Sequence, residues 1–224
     1  ALLRDAIKPN LAQTAEGQPT IVHMGPFGNI AHGCSSIIAD KLAVNCGEYV
    51  ITEAGFGADL GFEKFMDIKV RQGGPKPSAA VVVATIRGLK WHGGVPLKEM
   101  ATANPDAVRK GAENLKNALR IVGLYGLPAV VAINRFPTDS AEEIAVVKEV
   151  AMAAGAIGVE EAKGFAEGGD GMIDLANAVV EAADQPSDVK LLYEDDDDYF
   201  DKVENMAKSL YLAGDVKWGP MTKT

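Results

Sequence analysis

Two uninterrupted apolar runs constrain this chain more than any other feature: residues 79–86 (AAVVVATI) and 128–134 (PAVVAIN). A strand with one wet face alternates apolar and polar side chains. These runs do not alternate, so both faces of each strand are expected to be covered, as in a parallel sheet held between helical layers. Residues 20–24 (TIVHM) and 49–52 (YVIT) read as two more strands of that kind, and 156–159 as a weaker fifth.

Helical signals fill the intervals. Cys34, Ile37, Ile38, Lys41 and Leu42 mark a helix after the first run. Asn104-Pro105 is a helix start, with Asn as cap and Pro at the first helical position. Val108, Ala112, Leu115, Leu119 and Val122 then recur at helical spacing until Gly126 and Pro128. Ser140 with Glu143 has the capping-box spacing; Ile144, Val147, Ala151 and Ala154 follow on one face, and Gly155 ends it. Residues 172–183 and 200–212 read as two further helices. This alternation predicts an α/β protein with an open parallel sheet and helices on both faces, a three-layer domain of Rossmann-like or P-loop NTPase-like type. Residues 1–183 are expected to form that α/β domain and 184–224 a helical C-terminal extension, free to pack on it.

Composition narrows the function. Among 224 residues, 22 are Lys or Arg and 31 are Asp or Glu, a formal net charge of -9. With no basic cluster, nucleic acid is excluded as a partner. No apolar stretch reaches the roughly 18 residues of a membrane span, and the charged N-terminus is no secretory signal. Cys34 and Cys46 fall in one expected helix at the wrong phase to meet, which suits reduced thiols and a cytoplasmic setting. No metal-ligand spacing is present. The acidic run 194–198 (EDDDD) reads as a solvated loop capping the next helix.

In open parallel sheets, ligands bind beyond the carboxyl ends of the strands, and there this sequence is unusual. After the first run comes GPFGNIAHG, with Asn29 and His32 among its glycines. After the second comes TEAGFGADLG, with Thr52, Glu53, Gly55, Phe56 and Gly57. Its spacing is neither the dinucleotide fingerprint nor a Walker loop. The third run ends in TIRGLKWHGG, which gathers Arg87, Lys90 and His92 as potential anion donors. The fourth ends in NRFPTD, where Phe136-Pro137 offers a rigid apolar surface for a flat heterocycle, or simply a packed loop. His23, inside an expected strand, reads as structural.

The ordered series KPNLAQT, GPFGNIAHGCSSIIADK, YVITEAGFGADLGFEKFMDIK, ATIRGLKWHGGVP and PAVVAINRFPTDS resembles the formate–tetrahydrofolate ligase family, from the N-terminus to about Ala183 and more weakly to Tyr211. The resemblance implies a two-step reaction. ATP phosphorylates formate to formyl phosphate and ADP. A tetrahydrofolate nitrogen then attacks the formyl carbon and expels phosphate, giving 10-formyltetrahydrofolate. It implies formate, ATP with Mg²⁺ and tetrahydrofolate as small-molecule partners, with a monovalent cation and homo-oligomerisation left open. Phe136 and Pro137 resemble the family's pterin-stacking pair, and Phe165 stands where family members have Trp. Thr52, Glu53, Gly55, Phe56 and Gly57 resemble the segment lining the nucleotide and formyl phosphate cleft, with Asn29 beside them. Arg87, Lys90 and His32 are the expected catalytic residues.

The family's Walker-type loop with its Lys precedes the matched region and is absent from these 224 residues, and family members are two to three times longer. A partial chain that works with the remaining domains of a longer enzyme is therefore expected, with poor or no ligase activity alone. The alternative is a non-catalytic folate-binding module or accessory subunit.

Overall fold

The computed structural model describes residues 3–5, 7–23 and 34–219. Its centre is a parallel sheet of β3 (Ala80–Ala84), β4 (Ala129–Asn134) and β5 (Gly158–Ala162), in that order. Val81 lies opposite Val130, Val131 opposite Val159, and Asn134 opposite Ala162. Helices α4 (Glu113–Leu124) and α5 (Ala141–Ala153) cover one face, and α7 (Ile173–Ala183) covers β4 and β5 on the other. Successive β4 side chains point to opposite faces. Val131 and Ile133 therefore join Leu115, Leu119, Ile144 and Val147, while Val130 and Ala132 meet Leu175 and Ala182. Two covered faces are the physical reason that this run carries no polar alternation. The protein is thus an α/β fold with a parallel sheet between helical layers.

The third run behaves differently. On β3, Val81 and Val83 remain 42% and 67% exposed. By register they share the face of Val130 and Ala132, beyond the area that α7 covers.

Two expected strands are corrected. Residues 19–22 do form a strand, β2 (Pro19–Val22), but it pairs antiparallel with β1 (Asn10–Gln13) in a separate hairpin. A five-residue connection containing Gly17 at φ +92° closes that hairpin, and its side chains are largely exposed. Residues 49–52 join no strand ladder among the described residues. Ile51 is almost fully exposed. Apolar, β-branched composition is necessary for a buried strand, but a neighbour to satisfy its N–H and C=O groups is needed as well.

The helix starts follow their capping residues. Asn104 accepts from Ala107 N at 3.0 Å with Pro105 at the first position of α3 (Pro105–Gly111). The helix expected to continue to Val122 breaks at Ala112, which ends α3 and begins α4. Gly111 lies so close to α2 (Ile86–His92) that a Cβ there would fall 1.8 Å from Leu89 O. The cysteines flank α1 (Ile37–Val44) rather than sharing it; Cys34 is buried, Cys46 exposed, and both are free.

One fully buried ion pair joins these pieces. Lys90 near the end of α2 and Glu143 in the first turn of α5 meet at 2.9 Å, both at 0% exposure. Lys90 Nζ also donates to Met100 O at 2.7 Å and Thr102 O at 3.2 Å, so its three donors are satisfied. Glu143 accepts from Asn104 N at 2.9 Å and from Ser140 N and Oγ, both at 3.0 Å. Burial pushes the Glu143 carboxyl up, but the Lys90, Ser140 and Asn104 bonds outweigh it and hold it below its ordinary value. Lys90 was expected at an anion site; its ammonium is instead enclosed in the fold, where a ligand has no access to it.

The chain after α7 packs on the same core. Lys190 N donates to Tyr125 O at 3.0 Å, Leu210 is buried, and Arg120 holds Ser209 O and Leu210 O at 2.7 and 2.8 Å. Asp67, buried, accepts from Tyr125 Oη and from Arg71, which also reaches Tyr193 O. Helix α8 (Tyr199–Ser209) starts at Asp198, whose carboxylate accepts from Phe200 N. That is the capping role expected of the acidic run. Among the described residues, no helix is long and apolar enough to cross a membrane.

Two outcomes follow from these buried charges. Lys90→Met strands Glu143 without its cation and should lower stability by about 3–5 kcal/mol in urea unfolding at neutral pH. Glu63 is pushed up to about 7 by burial, helped by the Asp67 charge and opposed by Lys64. Between 4.5 and about 7 the folded state holds a proton that the unfolded chain has released, so stability falls as pH rises through that window. Glu63→Gln should melt with the parent near pH 4.5 and above it at pH 8; equal melting temperatures at both would contradict the assignment.

Candidate functional site

Three strand ends reach a common edge because β3, β4 and β5 are parallel and in register. Past β3, Thr85 caps α2 by accepting from Gly88 N at 3.0 Å, and this puts Arg87 in the first turn. A cation there works against the helix dipole, so local helix stability does not explain it. The Arg87 side chain is exposed and makes no ion pair with a carboxylate among the described residues. Its guanidinium lies 5.2 Å from the centre of the Phe136 ring, within cation–π range.

Past β4, the chain turns sharply. Arg135 is held to Glu161 of β5 at 2.6 Å. Phe136, Pro137, Thr138 and Asp139 then form a turn closed by Asp139 N donating to Phe136 O at 3.0 Å. The Asp139 carboxylate returns the bond, with Oδ2 accepting from Phe136 N at 2.8 Å. Proline in second place suits the φ that such a turn requires. Phe136 is half-buried, and Pro137 is exposed.

Past β5, Lys163 N donates to Gly171 O at 3.1 Å and closes a glycine-dense loop. Phe165, in the short helix α6 (Gly164–Glu167), projects fully into solvent. Glu16 at the tip of the hairpin accepts from Gly169 N and fastens that loop from outside. Phe136 and Phe165 therefore leave neighbouring strands two and three residues beyond the pair Asn134–Ala162.

The Gly55–Gly57 turn has the local form that its sequence demands. Both glycines have positive φ, 81° and 68°, and Phe56 between them is exposed. A wide helical turn, Gly57–Phe62, follows, and Gly61 packs against Ala54 O so closely that a Cβ would sit 2.5 Å away. Thr52 Oγ1 is buried without a hydrogen-bond partner among the described residues, and Glu53 is exposed. No hydrogen bond, ion pair or ring contact joins this turn to Arg87 or Phe136 among the described residues. Asn29 and His32 lie outside the described residues. His92 is exposed, and His23 is buried between Ser36 Oγ at 2.5 Å and Ile7 O at 2.7 Å, a structural place.

The family model described as "Formate--tetrahydrofolate ligase" matches residues 1–224. The chain belongs to the formate–tetrahydrofolate ligase family. Among relatives carrying that family's name, a protein of Sphingobium sp. (strain NBRC 103272 / SYK-6) is 54% identical over 95% of this chain and 38% of its own length. One of Roseiflexus sp. (strain RS-1) is 51% identical over 98% of this chain and 40% of its own. A third, of Desulforamulus reducens, is 46% identical over 99% of this chain and 41% of its own. The chain thus spans about two fifths of the length of the family members it matches.

Within that family segment, the structure brings Arg87 onto Phe136 and places Phe165 at the adjacent strand end, while Lys90 is withdrawn into the core. Sequence reasoning passed over Asp139, Glu161 and Glu16. Asp139 had a local signal, since Asp three residues after the start of a Pro-containing turn can bond back to the backbone. Glu161 and Glu16 meet their partners across 26 and 153 residues, and no local pattern announces such pairs.

Proposed function

We propose that this chain is the folate-holding part of an ATP-dependent ligase that joins formate to tetrahydrofolate through formyl phosphate. The supporting observation is the Arg87–Phe136 pair at the carboxyl edge of the sheet, an exposed cation stacked on a half-buried aromatic ring. Next to it stands the exposed ring of Phe165, one strand away. A pterin is flat, polar at its edge and apolar on its faces. Phe136 and Pro137 supply a fixed surface for one face, and Phe165 supplies an aromatic ring at the neighbouring strand end.

Arg87 has the charge to hold an anionic group, either a folate carboxylate or the phosphate of formyl phosphate. In the second step the tetrahydrofolate nitrogen forms its bond to the formyl carbon as the carbon–oxygen bond to phosphate breaks, and the nitrogen's proton is released. Positioning the two reactants accounts for much of the rate in such transfers. Thr52, Glu53, Gly55, Phe56 and Gly57 are proposed to line the nucleotide side, with Asn29 and His32. Among the described residues no three His, Cys, Asp or Glu side chains are grouped to hold a metal ion. A cytoplasmic setting, the remaining domains of a longer enzyme and self-association belong to the same proposal.

Tetrahydrofolate binding, followed by fluorescence quenching, tests the reading. Phe136→Ala should weaken it by about 1–3 kcal/mol, the scale of base–aromatic stacking. An unchanged titration would remove the stacking surface from the site. Arg87→Ala should weaken a phosphorylated ligand, and the affinity that remains should depend less on salt than the parent's, because one screened charge has gone.

A further inference from the structure

The turn that carries Phe136 contains a carboxylate that the proposed chemistry does not use. Asp139 is 6% exposed. One oxygen, Oδ2, accepts from Phe136 N at 2.8 Å; the other, Oδ1, is buried with no hydrogen-bond partner among the described residues. Asp139 is followed at once by Ser140, the cap of α5, which is itself bonded to the buried Glu143. Burying a carboxylate is unfavourable, and leaving one oxygen unbonded makes it more so. Burial indeed pushes the Asp139 carboxyl above its ordinary value, with the Glu143 charge adding to the rise, against the Phe136 N–H bond and the Lys90 and Arg135 charges.

A Ser or Asn could close a turn of this kind from the surface at less cost. What a buried side chain adds is rigidity. Its bond to Phe136 N ties down, from the inside, the backbone from which that ring projects. The turn is held at both ends, by Arg135–Glu161 before it and by the Ser140 cap after it. The Arg87 guanidinium lies 5.2 Å from the centre of the ring that this turn carries.

We infer that Asp139 is the positioning residue of the pterin surface, holding Phe136 in its binding orientation through the Phe136 N–H. This rests on the reading that Phe136 stacks on tetrahydrofolate. An aromatic ring fixed in advance loses less freedom when a ligand stacks on it, so the clamp should show in affinity. The bond needs an acceptor oxygen and not a charge, and Asn at this position would supply one.

The test compares Asp139→Ala, Asp139→Asn, Phe136→Ala and the Asp139→Ala/Phe136→Ala double variant, with tetrahydrofolate as probe. Asp139→Ala should bind roughly ten-fold more weakly, as expected for one lost hydrogen bond, and Asp139→Asn should stay within about three-fold of the parent by the same scale. In the double variant the Asp139 change should add nothing to the Phe136 loss, because the clamp acts only through that ring. Additive losses would overturn the inference, as would a ten-fold loss in Asp139→Asn. If Phe136→Ala itself leaves binding unchanged, the stacking reading fails instead, and the two failures are told apart. Hydrogen exchange of the Phe136 amide in the unmodified protein gives a reading that needs no variant. Slow exchange is expected, and exchange at the rate of an open loop would refute the clamp even if Asp139→Ala does not fold.

Discussion

The arrangement of the upper half of the sheet hangs on the enclosed pair Lys90–Glu143. Neither member belongs to a strand, yet each follows one: Lys90 lies in the helix after β3 and Glu143 in the helix after β4. Their contact fixes the two crossover segments against each other. The shared bonds to Met100 O, Thr102 O, Asn104 N and Ser140 N also fix the loop before α3 and the start of α5. Such a pair contributes little net stability compared with apolar residues of equal volume, but it tolerates few alternative arrangements, since any shift leaves a charge buried and unbonded. Its value here is register. The Phe136–Asp139 turn ends one residue before this network, and Arg87 sits three residues before Lys90 on the same helix. The exposed groups of the site thus take their places from a buried contact that no ligand touches.

What could be read from the sequence divides along a physical line. The central strand, the caps at Asn104 and Ser140 and the α/β alternation are local or periodic features, and each stands in the structure. The runs at 20–24 and 49–52 failed for one reason: composition tells whether a segment suits burial, not whether a neighbour will pair with it. In the first case a five-residue connection made an antiparallel partner nearer than any parallel one. The long helix expected from 105 to 122 failed because helical periodicity carries through a break of a single residue when both halves bury the same face.

The site shows the same division. Arg87 and Phe136 could be suspected from their places after two strands, and they do meet. Lys90 occupied an equally suggestive place. Its ammonium turns inward onto Glu143, and sequence position does not say whether a carboxylate waits there. Glu143 did carry a signal as half of a capping box, but that motif accounts for only one of its oxygens. A charged residue whose local role leaves bonding capacity unused is a fair candidate for a distant partner, and the count of donors and acceptors is the way to find it.

The two aromatic walls differ in a manner that bears on how a flat ligand would be held. Phe136 is half-buried, its backbone is bonded by Asp139 and its ring lies near Arg87, so less of its freedom remains to be lost. Phe165 is fully exposed on a loop closed at its base by Lys163–Gly171 and bonded from outside by Glu16. Immobilising such a side chain costs about 0.5–1.5 kcal/mol. On the proposed reading, that cost falls almost wholly on the Phe165 wall. The rigid wall then sets where the heterocycle lies, and the loose wall sets how tightly it is kept. A larger aromatic residue at 165 would add contact area without disturbing the clamp, because its backbone is tied to β5 and not to the Lys90–Glu143 network. On that reading, affinity and orientation belong to different strands of one sheet.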